Sequence, residues 1–406
     1  MRINHHLVLT FILFLAAFLR LWGLGSDELI FDEGLYSFRS IGWLDYLESP
    51  FQTTPVQWLV DGEHSRTIAL RSLGEGGLAN GEQSESEGLP FWTKLSFHDH
   101  PPLFFLIQHI FFAVFGDSLF VSRLPSAIFG IGFVYLIYLI SKELSPRSDL
   151  KNYEGQTLKT LIAPFLGAVS FAAVSVSRLA MMESVLFFFI ALNIYYFLNF
   201  LGDKKYWWHF GLTFGLAMLT KYIAIFLIPV YLIYIIIFKV RPSGKVGPYA
   251  WAILLALIIF SPVIIYNIYS YQTFGHFDLQ FSYLLGQKTP WPVNEFGGKT
   301  QDPFSKITEN LPAVFSPPFL ILSLLGLGLI LWQKELRRRL ALVLLAFLFI
   351  TLLLTATGSA IRFAALYSIP FIFFSTAAVG FLMDKNYKKL AALALVAVVA
   401  GEMYLF

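Results

Sequence analysis

Long apolar stretches, separated by short polar segments, repeat along most of the chain. Because about 20 apolar residues cross a bilayer as a helix, this pattern predicts an all-α polytopic membrane protein with about eleven transmembrane helices. The whole chain, residues 1–406, is predicted to form a single integral membrane domain, and its first apolar stretch to be an uncleaved span. The predicted spans are residues 7–24, 119–140, 161–176, 184–201, 207–219, 223–238, 249–269, 311–332, 340–356, 363–383 and 390–406.

The first long polar segment, residues 25–118, is predicted to be an outer loop that carries short helices. Aromatic and charged residues mix at 36–46 and 91–97, which is typical of helices lying at the membrane interface. The apolar run Leu103–Phe115 is too short to span a bilayer, so we expect a juxtamembrane helix there. The intervening segment 74–88 is rich in Gly, Glu and Ser and predicts a flexible loop.

Composition supports this class of protein. The chain is 57% hydrophobic and 14% charged, with a mean hydropathy of +0.66, which is far more apolar than a soluble domain. A net charge of +3 gives no reason to expect a nucleic-acid partner. The absence of cysteine excludes disulfides and thiolate metal sites in this sequence.

The distribution of basic residues predicts the orientation. Lys and Arg gather in alternate connections, including residues 142–159, 239–245 and 334–339. Because cytoplasmic connections are enriched in Lys and Arg, the N-terminus is predicted to be cytoplasmic. The loop 25–118, the second long polar segment 271–310 and the C-terminus would then be extracytoplasmic. The prediction is a multi-pass protein of the plasma membrane with an outward-facing site.

Charged residues at the predicted outer boundary are the candidate chemistry. Ionisable groups at membrane depth are costly and usually functional, so cations there require carboxylate partners or an anionic ligand. Such a set suits a phosphate attached to a lipid tail. If the phosphate carries a sugar, its departure needs charge stabilisation, and the acceptor hydroxyl needs a base. The cations are Arg123, Arg178, Lys221 and Arg362, and the carboxylates are Asp32, Glu33, Asp99 and Glu183.

Several short motifs follow one another in a recognisable order. They are Asp32-Glu33, His100-Pro101-Pro102-Leu103, Gly116-Asp117-Ser118, Arg123-Leu124-Pro125-Ser126-Ala127, Ser177-Arg178-Leu179 with Glu183, Gly215-Leu216-Ala217-Met218-Leu219-Thr220-Lys221, and the late Arg362. Together they resemble the protein O-mannosyltransferase and lipid A aminoarabinose transferase superfamily of C-type membrane glycosyltransferases, which use polyprenyl- or dolichyl-phosphate sugars. The resemblance covers roughly residues 1–240, and beyond them mainly the topology and Arg362.

The resemblance implies roles for individual residues. Asp32 would be the general base, with Glu33 assisting, and Glu183 would lie near the acceptor or the sugar. His100 would contact the phosphate or the acceptor, and this chain has Arg362-Phe363 where several relatives have Arg-Tyr. The residues predicted to bind the donor phosphate are His100, Arg123, Arg178, Lys221 and Arg362.

Some of these residues also have simpler interpretations. His98 and Asp99 form, with His100, a possible divalent-metal site, although no further ligand stands at a firm spacing. Glu183 suits an ion pair with Arg178. The long side chains of Arg123, Lys221 and Arg20 suit snorkelling towards the headgroups; for Arg20, one turn from the end of the first span, this is the preferred expectation.

The sequence therefore predicts a membrane glycosyltransferase that moves a sugar from a polyprenyl-phosphate donor to a protein, glycolipid or glycan on the extracytoplasmic face, with inversion. The alternative is a transporter or flippase of a lipid-linked substrate. Transporters of this kind are often built from internal repeats with broken helices near the midplane. We see no repeat between the two halves, and the charges lie at one boundary. Neither the sugar nor the acceptor follows from the sequence.

Overall fold

A computed structural model describes residues 5–28, 30–41, 100–145, 155–239, 247–287, 303–357 and 361–406. Within these ranges the chain is helical and contains no strand, so the predicted all-α class is confirmed. Short 3₁₀ turns occupy Lys204–Tyr206, Tyr222–Phe226 and Ala365–Tyr367. The helices are α1 (His5–Leu21), α2 (Phe31–Ile41), α3 (Leu103–Phe115), α4 (Leu119–Leu144), α5 (Gly155–Val169), α6 (Phe171–Arg178), α7 (Met182–Gly202), α8 (Trp207–Thr220), α9 (Leu227–Ile237), α10 (Gly247–Phe274), α11 (Leu279–Leu284), α12 (Pro303–Val314), α13 (Pro317–Trp332), α14 (Lys334–Arg339), α15 (Ala341–Thr357), α16 (Ile361–Ala364), α17 (Ser368–Asp384) and α18 (Lys388–Leu405).

Four helical stretches among the described residues are long and apolar enough to cross a membrane: α4, α7, most of α10, and Ile361–Asp384. Two further spans are possible if bent pairs are counted, namely α5 with α6, at 49°, and α12 with α13, at 120°. The chain is thus a multi-pass membrane protein. The predicted number of about eleven spans is not confirmed, because some of the predicted spans, such as α1 and α15, are helices of only 17 residues, at the short limit for crossing a bilayer.

Two predicted spans are interrupted at a common buried carboxylate. The predicted helices 161–176 and 311–332 break at Ser170 and at residues 315–316. The first amide groups of a helix have no partner within the helix. Glu402 of α18 is fully buried and accepts from Phe171 N at 2.5 Å and from Ser316 N at 2.8 Å. One carboxylate therefore accepts a backbone N–H at the start of both α6 and α13, where negative charge is also favoured by the helix dipole.

Glycines permit the closest helix crossings. A Cβ on Gly211 or Gly215 of α8 would lie 2.4 Å from Ala252 O or 2.7 Å from Ile259 Cβ of α10. This spacing of four residues places both glycines on one helix face, as in small-residue packing motifs of membrane helices. A Cβ on Gly326 of α13 would lie 1.8 Å from a backbone oxygen of α17.

Helix α2 is held by buried polar contacts to α3 and α4. Gln108 of α3 accepts from Ser40 Oγ at 2.5 Å and donates to Ser122 O at 2.8 Å. Ser37 and Ser122 share a hydrogen bond of 2.6 Å. Helix α3 has the predicted bounds, whereas α2 begins five residues before the predicted interfacial helix 36–46. Residues 42–99, which include the predicted helix 91–97 and the segment 74–88, lie outside the described ranges.

The expectation that Arg20 snorkels is wrong. Its side chain has no exposed surface and donates to the carbonyl oxygens of Ala16, Gly167 and Ala168, each at 3.2 Å. The guanidinium thus ties α1 to the end of α5, and the protein interior rather than the headgroup region solvates it.

Candidate active site

The Glu33 carboxylate is fully buried and is bound by one arginine and two backbone amides. Arg123 Nε and Nη2 donate to its two oxygens at 2.9 Å each. Ala180 N and Ile30 N donate at 2.6 and 3.1 Å. The bond to Ile30 joins the third residue of α2 to the residue before the helix, a capping contact that fixes where α2 begins. Asp32 is thereby placed in the first turn of α2.

Every N–H donor of Arg123 is engaged by the protein. In addition to its bonds to Glu33, Nη1 donates to Leu24 O at 3.0 Å and to Asp27 O at 3.2 Å. Nη2 also donates to Glu28 O at 2.9 Å. Since a guanidinium has five N–H donors, none remains for a phosphate. That Arg123 binds the donor and that Glu33 assists catalysis stay predictions, and this geometry favours a structural role for both.

Asp32 and Arg362 form an ion pair although 330 positions separate them in the sequence. Their side chains are 37% and 30% exposed, so both remain accessible to a ligand. Arg362 Nε also lies 3.8 Å from Glu183 Oε1. One guanidinium therefore stands between the carboxylates of α2 and α7.

Glu183 and Lys221 form a more enclosed pair than Asp32 and Arg362. Lys221 Nζ donates to Glu183 Oε1 at 2.6 Å, and the side chains are 12% and 3% exposed, respectively. Lys221 Nζ lies 4.6 Å and Arg362 Cζ 5.3 Å from the centre of the Phe363 ring, a distance typical of cation–π contacts. Glu183 Oε2 is buried and accepts no hydrogen bond from any described residue. Because an unsatisfied buried carboxylate oxygen is costly, this atom is suited to contact a ligand.

The turn before Glu183 is held by α4. Ser126 Oγ donates to Met181 O at 2.9 Å, and Ser184 Oγ donates to Ser126 O at 2.6 Å. Arg123 and Ser126 are three residues apart on α4 and so lie on the same helix face. That face thus positions both the start of α2, through Arg123, and the start of α7, through Ser126.

Arg178 contacts the end of α1. Its Nη1 donates to Leu19 O at 3.1 Å and Trp22 O at 2.7 Å, and Nη2 to Gly23 O at 3.4 Å. Cations commonly bind the last carbonyl groups of a helix in this way. The described partners of Glu183 are Lys221 and Arg362 rather than Arg178. Phosphate binding by Arg178 stays a prediction.

His100 is located beside α2. Its Nε2 lies 3.4 Å from the hydroxyl of Tyr36, one turn along the helix from Asp32. The other two residues of the predicted metal site, His98 and Asp99, lie outside the described ranges. Among the residues that the structure describes, no three His, Asp or Glu side chains are grouped closely enough to hold a metal ion.

The structure thus brings together residues from four distant segments. Sequence reasoning missed the Phe363 ring beneath both cations and the role of Ser126. The position of Phe363 directly after Arg362 was the sequence signal for the ring. The spacing of three residues between Arg123 and Ser126 in a helix was the signal for the role of Ser126. The predicted residues that meet at the site are Asp32, Glu183, Lys221 and Arg362.

A known family matches part of the sequence. Residues 99–266, less than half of the chain, match the family model described as dolichyl-phosphate-mannose-protein mannosyltransferase. The match includes Glu183 and Lys221 but neither Asp32 nor Arg362. No curated protein sequence shows significant similarity to the chain.

Solved structures share the fold over almost the whole chain. An oligosaccharyltransferase from Archaeoglobus fulgidus, tethered to an acceptor peptide, superposes with a TM-score of 0.62 at 15% identity, covering 99% of this chain and 54% of its own. The oligosaccharyltransferase AglB from Archaeoglobus fulgidus, in complex with an inhibitory peptide and a dolichol-phosphate, gives a TM-score of 0.61 at 14% identity, with coverages of 99% and 55%. ArnT from Cupriavidus metallidurans, bound to undecaprenyl phosphate, gives 0.59 at 12% identity, with coverages of 96% and 63%.

The predicted resemblance is therefore confirmed, by sequence over residues 99–266 and by fold over nearly the whole chain. At such low identities the structural similarity establishes the fold. The chain spans about half the length of the oligosaccharyltransferase and less than two thirds of ArnT.

Proposed function

We propose that this protein is a membrane glycosyltransferase that moves a sugar from a polyprenyl-phosphate donor to an acceptor on the extracytoplasmic face. The observation that supports this most is the convergence of two carboxylates and two cations at one site. Asp32, Glu183, Lys221 and Arg362 come from α2, α7, the connection after α8, and α16. The fold that the chain shares with lipid-phosphate-bound ArnT and AglB supports the same class of donor.

In the proposed reaction the acceptor hydroxyl oxygen attacks the anomeric carbon of the sugar. The bond from that carbon to the phosphate oxygen breaks, and the electron pair leaves with the polyprenyl phosphate. Asp32 takes the hydroxyl proton as general base. Attack from the face opposite the phosphate gives an inverted product. Lys221 and Arg362 stabilise the charge that develops on the departing phosphate.

The described ion pairs imply an exchange when the donor binds. Both cations already have carboxylate partners, and a sugar phosphodiester brings one negative charge. Arg362 is the better candidate to change partner, because it is 30% exposed whereas Lys221 is 12% exposed. If the phosphate takes Arg362, then the Asp32 carboxylate loses its cation and becomes available as a base.

Glu183 would contact the acceptor or the sugar through Oε2, the oxygen that accepts no hydrogen bond from the described residues. His100 would lie near the same ligands, beside Tyr36. A divalent metal held by His98 and Asp99 stays part of the hypothesis. The sugar and the acceptor are left open.

The test is Asp32→Asn in the full chain in lipid nanodiscs, supplied with undecaprenyl- and dolichyl-phosphate sugars and with membrane extracts as acceptor. We expect release of polyprenyl phosphate to fall by about 100-fold or more, the usual contribution of a general base, at an unchanged unfolding temperature. Asp27→Asn, the same change at an exposed side chain, is the control.

Wild-type turnover in Asp32→Asn would exclude Asp32 as the base. If the wild-type protein moved the lipid-linked sugar across the bilayer without breaking the sugar–phosphate bond, the transporter alternative would replace the glycosyltransferase.

A further inference from the structure

A second buried polar cluster lies where α10 ends, outside the groups used above. Asp278 is 1% exposed, and its Oδ2 accepts from Tyr222 Oη at 2.9 Å and from Asn267 Nδ2 at 3.0 Å. Its backbone N–H donates to Asn267 Oδ1 at 2.8 Å. Its Oδ1 accepts from Phe281 N at 2.9 Å and so caps α11. We refer to Tyr222, Asn267 and Asp278 as the loop anchor.

The loop anchor joins the second long polar segment to the residue beside Lys221. Asp278 and α11 lie within residues 271–310, the predicted second outer loop. Tyr222 is covalently next to Lys221, and its ring also packs against Phe281, with centroids 5.1 Å apart. The loop therefore holds the chain directly after the cation of the site.

The backbone conformation at Lys221 relates the direction of the Tyr222 side chain to that of the Lys221 side chain. Lys221 is extended, with φ −162° and ψ 133°, and in extended backbone successive side chains point to opposite sides. The Lys221 side chain reaches Glu183, while the Tyr222 side chain reaches Asp278. Fixing the Tyr222 hydroxyl on one side thus restricts where the ammonium can lie on the other.

From this geometry we propose that Asp278 is a positioning residue, which holds Lys221 in its place in the donor site through Tyr222. The proposal rests on the proposed function, in which Lys221 binds the donor phosphate. Asn267 and Asp278 both lie beyond residue 266, where the family match ends, so these two residues of the loop anchor are outside the matched region.

The probe is undecaprenyl phosphate alone, titrated into the full chain in nanodiscs, with its Kd taken from thermal stabilisation. Tyr222→Phe keeps the ring and removes only the hydroxyl that donates to Asp278. A hydrogen bond to a charged group is worth enough that we expect the Kd to rise about 3- to 10-fold. Ser282→Ala is the control, since Ser282 is equally buried in the same loop but its hydroxyl, the group that the change removes, donates to Phe277 O and Gln287 Oε1 and not to the Asp278 carboxylate.

A second comparison separates positioning from general stability. In a Lys221→Met background, Tyr222→Phe should not weaken binding further, because the group that it positions is gone. Additive effects in the two backgrounds, or a Tyr222→Phe protein with the same Kd as Ser282→Ala, would overturn the proposal.

Amide hydrogen exchange over residues 217–226 tests the same idea without a ligand. Asp278→Asn and Tyr222→Phe should raise exchange there, while Ser282→Ala should not. If the wild-type chain failed to bind the lipid phosphate, the proposed function would fall, and the exchange data would still show whether Asp278 positions Lys221. Unchanged exchange in both variants would refute the positioning role even if the lipid binds.

Discussion

The pair Glu33 and Arg123 gives the sharpest distinction between a structural and a catalytic role. The sequence predicts that Glu33 assists the base and that Arg123 binds phosphate, whereas both are buried against each other. The informative change is Glu33→Gln, which keeps the size of the side chain and removes its charge. We expect this variant to lose stability first, and activity only as a consequence.

The magnitude follows from the contacts. Each oxygen of Glu33 faces two N–H donors: Arg123 Nε and Ala180 N on one side, Arg123 Nη2 and Ile30 N on the other. A glutamine amide must place its own N–H groups against one of these pairs, so two buried donors lose their acceptor. The Arg123 charge is also left without a partner. Breaking a buried ion pair in this way costs about 3–5 kcal/mol.

The assay is unfolding in detergent, followed by tryptophan fluorescence, for Glu33→Gln, Arg123→Met and the double variant. Removing both charges should restore part of the loss, because no buried charge is left unpaired, so the double variant should be more stable than the sum of the single changes predicts. A Glu33→Gln protein of wild-type stability with no turnover would refute this reasoning. Arg123→Met with weaker donor binding and normal stability would do the same.

Three further changes test the packing and the site. Gly326→Ala should lower the free energy of unfolding by about 2 kcal/mol or more, because the new methyl group meets the backbone of α17. Gly328→Ala is the control and should not lower it, because a methyl group there meets nothing within 4 Å. Thermal unfolding compares the two variants, and equal stabilities would contradict the close crossing of α13 and α17. Glu402→Gln should lower the free energy of unfolding by about 2 kcal/mol, since its carboxylate accepts a backbone N–H at two helix starts. Glu335→Gln, at an exposed side chain, is the control. Turnover per folded molecule should stay unchanged in both variants. Arg362→Lys should weaken undecaprenyl phosphate binding and turnover at constant stability, because lysine cannot bridge two carboxylates as guanidinium does; unchanged binding would argue against phosphate exchange at this residue.

Features fixed by contacts between residues close in the sequence could be predicted from it, whereas features fixed by contacts between distant residues could not. The bounds of α3 could be predicted because paired prolines and a glycine enclose a short apolar run, which is local information. The breaks at Ser170 and Ser316 could not, because Glu402, far along the chain, supplies the acceptor at both. Arg20 looked like a snorkelling residue for the same reason: two of the three carbonyl groups that bind it come from α5, far along the chain.

At the site, the meeting of Asp32, Glu183, Lys221 and Arg362 follows from a shared membrane boundary, and the sequence predicts it. The pairing among these groups does not follow, since any cation at that depth satisfies any carboxylate. Only the crossing of α4 with the starts of α2 and α7 decides that Arg123 binds Glu33 and leaves Arg362 for Asp32.

The two neighbouring carboxylates of α2 therefore have opposite capacities. Glu33 and Arg123 are 0% and 4% exposed, and separating them would leave two charges buried without water or partner, which the protein cannot afford during a reaction. Asp32 and Arg362 are 37% and 30% exposed, so water and ligand can replace each partner at small cost. In the proposed function, the ion pair that opens when a phosphate binds therefore has to be the exposed one. That function would give the adjacency of the two acids a physical reason: the buried carboxylate fixes the helix turn that carries Asp32, and Asp32 would exchange its partner and accept a proton.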